Sequence, residues 1–89
     1  MKKKSVLFVC LGNICRSPAA EAIFINLLEK KGLTEGFSVD SAGTGSWHIG
    51  KKADYRMRIA AERRDIKILS KARKITSKDF EKFNYIIAM

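Results

Sequence analysis

Apolar runs near both ends of the chain, with helical repeats between them, suggest the type of fold. Residues 5–10 form an uninterrupted, β-branched-rich apolar run, which is typical of a strand buried on both faces of a parallel sheet. Residues 84–89 form another run of this type. Residues 37–41 alternate between apolar and polar positions and predict a shorter strand. Strands separated by helical segments indicate an α/β fold.

The segment after the first strand predicts the longest helix. Ser17 is a candidate cap, Pro18 suits the first helical position, and Glu21 suits the electropositive first turn. Gly32 supplies a C-terminal stop. The apolar positions recur at three- and four-residue spacing and are expected to pack on the sheet: Ala20, Ile23, Phe24, Leu27 and Leu28.

Two shorter helices are predicted further along the chain. One runs from Asp54, as its cap, to Arg64, and the other spans residues 76–83 and begins with a Thr-x-x-Asp capping pattern. A Gly-rich loop at residues 42–46 follows the second strand. The order of elements predicts right-handed crossovers and a three-layer α/β protein, with a parallel, twisted sheet and helices on both faces. The buried side of the first short helix is expected to carry Met57, Ala60 and Ala61.

Length and composition narrow the class of protein. The 89 residues contain no Pro- or Gly-rich linker and predict a single domain, 1–89. No apolar run approaches the roughly 18 residues of a membrane span, and the run after the basic start is too short for a signal peptide, so we expect a cytoplasmic protein without membrane association. Eighteen Lys and Arg against nine Asp and Glu give a charge of +9, which attracts anions. The cations are scattered without a recognition pattern, which disfavours nucleic acid as a partner.

The two cysteines, Cys10 and Cys15, do not form a structural framework. They lie close together in a sequence of cytosolic character, which argues against a structural disulfide. Since His48 is the only histidine, a Cys-Cys-His set lacks the fourth ligand of a closed zinc shell. We therefore expect no metal and no cofactor.

The segment from Cys10 to Pro18 predicts an anion site. A strand that ends at Cys10, a tight loop containing Gly12 and a helix that starts near Pro18 place successive backbone N–H groups around one concavity. The positive potential there, together with the Arg16 guanidinium, favours thiolate over thiol. Arg16 also suits bidentate binding of phosphate oxygens. This pattern predicts nucleophilic attack by Cys10 on a phosphate monoester.

The loop resembles the signature of a known family. Residues 9–18 read Val-Cys-Leu-Gly-Asn-Ile-Cys-Arg-Ser-Pro, which is similar to the signature of the low-molecular-weight protein tyrosine phosphatases. Residues 40–44, 47–48, 54, 72–73, 79–80 and 86–89 extend the resemblance over nearly the whole chain. It implies a flavodoxin-like topology and hydrolysis of phosphotyrosine proteins or small aryl phosphates through a phosphocysteine intermediate, with inorganic phosphate as the product.

The resemblance assigns roles to individual residues. It implies that Cys10 is the nucleophile, that the Ser17 hydroxyl stabilises the thiolate, and that Arg16 holds the phosphate. Backbone amides of the loop share that last role, and the phosphate-binding loop is then Leu11, Gly12, Asn13, Ile14, Cys15 and Arg16.

Three further roles also follow from the resemblance. Cys15 is implied to form a reversible disulfide with Cys10 that protects the nucleophile from further oxidation. Trp47 is implied to line the substrate cleft, and Ser41 to brace Asn13 by hydrogen bonding.

Simpler interpretations of these residues stay open. Cys10 can be read as an inert buried cysteine, although this leaves the rest of the motif without an explanation. Cys15 can be a small residue that packs the loop, and Trp47 a partly buried core aromatic. Ser41 and Asn13 can serve only the backbone of their turns. His48 is interpreted as a polar surface residue.

The resemblance also identifies what these 89 residues lack. In the family the Ile-x-Ala-Met segment is followed by a further strand, a long helix and an Asp-Pro loop that carries the general acid. We therefore expect a truncated domain with no general acid, impaired protonation of the leaving group and an exposed apolar edge at 84–89. Smaller departures are Ser70 where many members have histidine, Asp65 where glycine is usual, and Asn84 in place of aspartate.

Three alternative functions are weighed. A thiol-dependent arsenate reductase has the same fold and loop but needs a further cysteine downstream, which this sequence does not contain. A non-catalytic phosphate- or oxyanion-binding module is favoured by the missing acid and the basic charge. Nucleic-acid binding is the third, and it predicts an affinity that falls steeply with salt.

Overall fold

The computed structural model describes residues 3–89, so the first two residues of the predicted basic start, Met1 and Lys2, lie outside the described residues. Strands and helices follow one another in the order expected from the sequence. In chain order they are β1 Lys4–Cys10, α1 Arg16–Lys31, a 3-10 turn Thr34–Gly36, β2 Phe37–Gly43, α2 Tyr55–Glu62, α3 Ser77–Lys82 and β3 Tyr85–Ala88.

The three strands form one parallel sheet in the order β2-β1-β3, which confirms the predicted α/β class. The continuously apolar strand β1 lies in the centre and is buried from Val6 to Cys10, because it has a neighbour on each side. In the register of the sheet Cys10 pairs with Gly43, so both residues lie at the carboxyl edge. Ligands of open α/β sheets bind at this edge.

Helical segments cover the two faces of the sheet. Successive side chains of a strand point to opposite faces. Phe8 meets Phe24 of α1 edge-to-face at 5.8 Å, so α1 covers one face. Leu7 and Val9 point the other way and pack with Phe83, which directly follows α3. The core is therefore built on both sides of β1.

Helix α1 begins earlier than predicted. Its N-cap is Cys15, no side chain caps the helix, and Arg16 is the first helical residue. The prediction of Ser17 as the cap is wrong, because its hydroxyl is already engaged in hydrogen bonds with Cys10 and Asn13. Gly32 ends the helix as predicted, with a left-handed φ of 67°.

The predicted apolar face of α1 is only partly buried. Phe24 and Leu28 lie toward the sheet, and Leu28 is buried. Ile23 and Leu27 are 54% and 46% exposed, so the prediction was wrong for these two positions. The apolar positions of α1 span a wider face than the three strands can cover.

Strand β2 is longer than predicted, since Ala42 and Gly43, assigned to the loop from sequence, continue the pairing with β1. Helix α2 is shorter than predicted. Asp54 caps it as expected by accepting a 3.2 Å hydrogen bond from the Met57 N–H. The expected buried side is not found, because a groove between α1 and α2 leaves Ala60 exposed and no residue of α2 fully buried.

The third helix and the last strand agree with the pattern of the sequence. Thr76 and Asp79 form the predicted capping box of α3. Strand β3 lies at the edge of the sheet, where Tyr85 and Ile87 are 51% and 43% exposed. No helix within residues 3–89 has the length and apolar character needed to cross a membrane.

Candidate active site

The loop after β1 brings Cys10 to the edge of the sheet and leads directly into α1. It is tied to the chain that follows β2: the Thr44 N–H donates to the Cys10 carbonyl, and the Gly45 N–H donates to the Leu11 carbonyl, both at 2.9 Å. Gly43 permits this approach. A Cβ there would lie 3.0 Å from the Leu11 carbonyl oxygen and 3.1 Å from the Asn13 amide nitrogen.

Hydrogen-bond donors surround the buried Cys10 sulfur. The Ser17 hydroxyl lies 2.9 Å from Cys10 Sγ, and the Asn13 N–H donates to Sγ at 3.3 Å. Burial by itself raises the pKa of the Cys10 thiol. The Ser17 hydroxyl and the backbone N–H groups of Ser17, Asn13 and Gly12 outweigh that effect, and the pKa of Cys10 is lowered. The site therefore favours the thiolate.

Asn13 organises this part of the loop. It is 2% exposed and adopts a left-handed φ of 55°, which asparagine tolerates better than most residues. Its side-chain Nδ2 donates to Ser17 Oγ at 2.8 Å and to Ser41 Oγ at 3.0 Å. Its Oδ1 accepts the Arg73 backbone N–H at 3.0 Å. Because Nδ2 supplies both donors, the Ser17 hydroxyl keeps its own proton for the Cys10 sulfur.

Glu21 ends the same network on the side away from the sulfur. Ser41 accepts from Asn13 and donates to Glu21 Oε1 at 2.6 Å. Burial raises the pKa of Glu21 and nearby Asp40 adds to the effect, whereas hydrogen bonds from Ser41 and Ser70 oppose it. The sequence placed Glu21 in the first turn of α1 as a partner of the helix dipole. In the structure it lies beyond that turn and holds Ser41.

Arg73 connects the network to the rest of the fold. Its guanidinium lies between Asp79 and Asp40, at 3.0 Å from each, and these carboxylates raise its pKa. The hydrogen bonds from Arg73 in turn lower the pKa of Asp79. The Arg73 backbone carbonyl accepts the Gly43 N–H at 2.8 Å. Arg73 therefore fixes the segment whose backbone N–H holds Asn13.

The sequence reasoning did not identify Glu21 and Arg73 as members of the site. Glu21 has a sufficient local explanation in its helix, and Arg73 lies outside the predicted helices and strands. The contact between Arg73 and Asn13 joins residues 60 positions apart. The family resemblance includes segments 72–73 and 79–80. It therefore indicated that the positions of Arg73 and Asp79 are important, without assigning a role to either residue.

The remaining loop residues form the rim. Arg16 is exposed, and its guanidinium makes no hydrogen bond or ion pair within residues 3–89, which leaves it available to an anion. Leu11 is 60% exposed and Ile14 half-buried. Cys15 is an exposed free thiol and Cys10 a buried free thiol.

Two aromatic rings lie beside the loop. The Trp47 indole is 66% exposed and covers Gly45, whose N–H is bonded to the loop at Leu11. The His48 ring approaches Gly12, where a Cβ would lie 3.1 Å from its Cδ2 atom. His48 is half-buried, so its interpretation as a surface residue needs correction. Both rings flank the rim of the predicted phosphate site.

Within residues 3–89, no group of three or more His, Cys, Asp or Glu side chains is arranged to hold a metal ion. The hydrogen-bond donors around Cys10 Sγ support the chemistry of a thiolate.

These features define an α/β protein whose central parallel strand ends in a thiol of lowered pKa, inside a loop that leads into a helix. A sequence profile described as "Low molecular weight phosphotyrosine protein phosphatase" matches residues 5–89. The chain belongs to the low molecular weight phosphotyrosine protein phosphatase family.

Individual relatives agree with this assignment. The chain is 51% identical over 89 residues to the low molecular weight phosphotyrosine protein phosphatase of Schizosaccharomyces pombe, covering 99% of this chain and 57% of that protein. It is 50% identical over 86 residues to the Homo sapiens protein of the same description, covering 97% and 54%. A crystal structure of protein tyrosine phosphatase from Entamoeba histolytica matches with a TM-score of 0.95 at 49% identity, covering 98% of this chain and 56% of that one. The chain spans a little over half the length of these relatives.

Proposed function

We propose that this protein is a phosphotyrosine phosphatase that acts through Cys10. The observation that carries the proposal is the Cys10 sulfur, whose pKa is lowered by the Ser17 hydroxyl and three backbone N–H groups despite burial. Such a thiolate is a strong nucleophile at neutral pH. The substrates are phosphotyrosine-containing proteins or small aryl phosphates, and the product is inorganic phosphate.

The reaction has two steps. The Cys10 thiolate attacks phosphorus, a sulfur–phosphorus bond forms, and the bond to the aryl oxygen breaks with its electron pair leaving on that oxygen. Water then attacks phosphorus, returns the thiolate and releases phosphate. Arg16 and the loop amides bind the equatorial oxygens, where charge is stabilised in both transition states. Ser17 stabilises the sulfur as attacking and as leaving group.

Protonation of the leaving group separates good from poor substrates. We assign no general acid to residues 1–89, and such a proton transfer contributes about 100- to 10,000-fold to rate. Nitrophenolate leaves readily as an anion, whereas the more basic tyrosyl oxygen does not. We therefore propose that a protein consisting of residues 1–89 alone turns over p-nitrophenyl phosphate faster than phosphotyrosine.

Three neighbouring residues complete the proposal. Trp47 flanks the loop as an exposed ring and would stack on the substrate's phenyl group. Ser41 braces Asn13 through the hydrogen bond described above. Cys15 would serve as a resolving thiol: peroxide converts Cys10 to a sulfenic acid, and the Cys15 sulfur then displaces water to form a disulfide. A cytoplasmic location suits this reversible chemistry.

The experiment is hydrolysis of p-nitrophenyl phosphate by the 89-residue protein and two matched variants. Cys10→Ser removes the nucleophile and should abolish turnover, whereas Cys15→Ser changes the neighbouring thiol in the same way and should retain it. Alkylation of Cys10 should be fast at neutral pH and slowed by inorganic phosphate. A thiol that titrates like free cysteine and gains no protection from phosphate would refute the proposal. Phosphate binding without turnover would instead support an oxyanion-binding module.

A further inference from the structure

A groove of about 360 Å³ opens between the outer wall of the Cys10 loop and helix α2. The Asp54 N–H donates to the Ile14 carbonyl at 2.6 Å, which ties the start of α2 to the loop. Two of the residues that line the groove, Ile14 and Cys15, also belong to the phosphate-binding loop. The others are Asp54, Arg56, Met57 and Ala60. The groove therefore begins at the rim of the predicted active site.

Positive charge predominates in the segment that forms one wall of this groove. Residues 51–67 contain seven Lys and Arg but only three Asp and Glu. The Arg56 side chain is 92% exposed, and its nearest carboxylate, that of Asp54, is 4.0 Å away and already accepts the Met57 N–H. The other ion pairs found within residues 3–89 all involve Arg73, on a different part of the molecule. Arg56 is the cation that lines the groove, and its 4.0 Å separation from the Asp54 carboxylate leaves the guanidinium accessible to a second anion; we call the groove lined by these six residues the basic groove.

We propose that the basic groove binds acidic residues that flank phosphotyrosine in the substrate, a specificity that rests on the proposed function. An extended peptide advances about 3.3 Å per residue. With its phosphate in the Cys10 loop, a side chain two to four positions from the phosphotyrosine would reach a groove that shares Ile14 and Cys15 with that loop. A carboxylate matches the planar Arg56 guanidinium in two-point contact.

Electrostatic attraction favours the binding of a peptide with several acidic residues. The Asp54 carboxylate lies in the groove, but it is occupied as the helix cap and stands against a large local excess of cations. Each exposed ion pair changes affinity by only about 1.5- to 5-fold. Two acidic residues should therefore improve binding about 10-fold at low salt, and the gain should decline as ions screen it.

Binding of fluorescent phosphotyrosine peptides to the 89-residue Cys10→Ser protein tests the inference without requiring turnover. One peptide carries glutamates and the other alanines around phosphotyrosine. We expect about 10-fold tighter binding of the glutamate peptide at low salt and a smaller difference at high salt. Arg56→Glu should remove that preference. Lys31→Glu, the same charge change at the last residue of α1, should keep it, because α1 extends about 24 Å from the loop.

The outcomes separate the groove from the proposed function. Equal affinity for the two peptides, or equal losses in the Arg56 and Lys31 variants, would overturn the groove as a specific site. Equally tight binding of an unphosphorylated glutamate peptide, or of a single-stranded oligonucleotide, would also overturn it, since it would indicate general attraction of polyanions. If neither phosphopeptide binds and inorganic phosphate does not compete, the proposed function itself fails.

Discussion

Replacing Asn13 with alanine tests whether one side chain holds the phosphate-binding loop in shape. The substitution removes the hydrogen bonds to Ser17, Ser41 and the Arg73 backbone, at 2.8, 3.0 and 3.0 Å. At a net value of about 0.5–1.5 kcal/mol for each, the loss is about 3 kcal/mol. Alanine at a φ of 55° adds about 1 kcal/mol of backbone strain. Against a stability of about 5–10 kcal/mol, this is a large change.

Glycine at the same position is the matched control, because it also lacks the three hydrogen bonds but accepts the left-handed backbone. Urea unfolding should rank the wild type first, Asn13→Gly next and Asn13→Ala last, with about 1 kcal/mol between the two variants. Protection of Cys10 from alkylation by phosphate should weaken in both. If Asn13→Gly were as stable as the wild type and equally protected by phosphate, the network would not be what shapes the loop.

Three further substitutions probe other contacts. Ser17→Ala should raise the pKa of Cys10, because the thiolate loses a hydrogen bond of about 1.5–3 kcal/mol, and should move the pH profile of its alkylation upward by about one pH unit or more; an unchanged pH profile would contradict this. Gly43→Ala should cost about 1–3 kcal/mol in urea unfolding and weaken phosphate binding, since the new Cβ meets loop backbone; neutral behaviour would show that the loop can shift freely. Asp79→Asn should cost about 2 kcal/mol at neutral pH by leaving Arg73 with a weaker partner. The pKa of Asp79 is lowered in the folded state, so its contribution to folding stability is present above the ordinary carboxyl pKa and is lost as pH falls through the lowered value. The stability of the variant should therefore decrease less steeply than that of the wild type as the pH is lowered. Equal slopes would exclude Asp79 as the source of the pH dependence.

Much of the fold follows from local patterns. The apolar run of β1, the stop at Gly32, the Asp54 cap and the Thr76 capping box each depend on residues a few positions apart, and the structure contains all four. Predictions from local patterns were wrong where the burial of a residue depends on which distant segment packs against it. Ile23 is one example, since it lies in the groove between α1 and α2 and is 54% exposed. The start of α1 is another, because the competing partners of Ser17 come from the folded loop.

By itself, the sequence determined the order of strands and helices, and it predicted an anion-binding loop and the residues that could supply its thiol and guanidinium, because these are encoded in contiguous segments. The family resemblance implied the contact between Ser41 and Asn13, but only the tertiary structure showed the other contacts that hold the loop. Ser41 and Arg73 reach Asn13 from 28 and 60 positions away, and Glu21 reaches Ser41 from 20. Such contacts arise when parallel strands bring distant segments to one edge of a sheet. They produce no periodic pattern in the sequence from which they could be predicted.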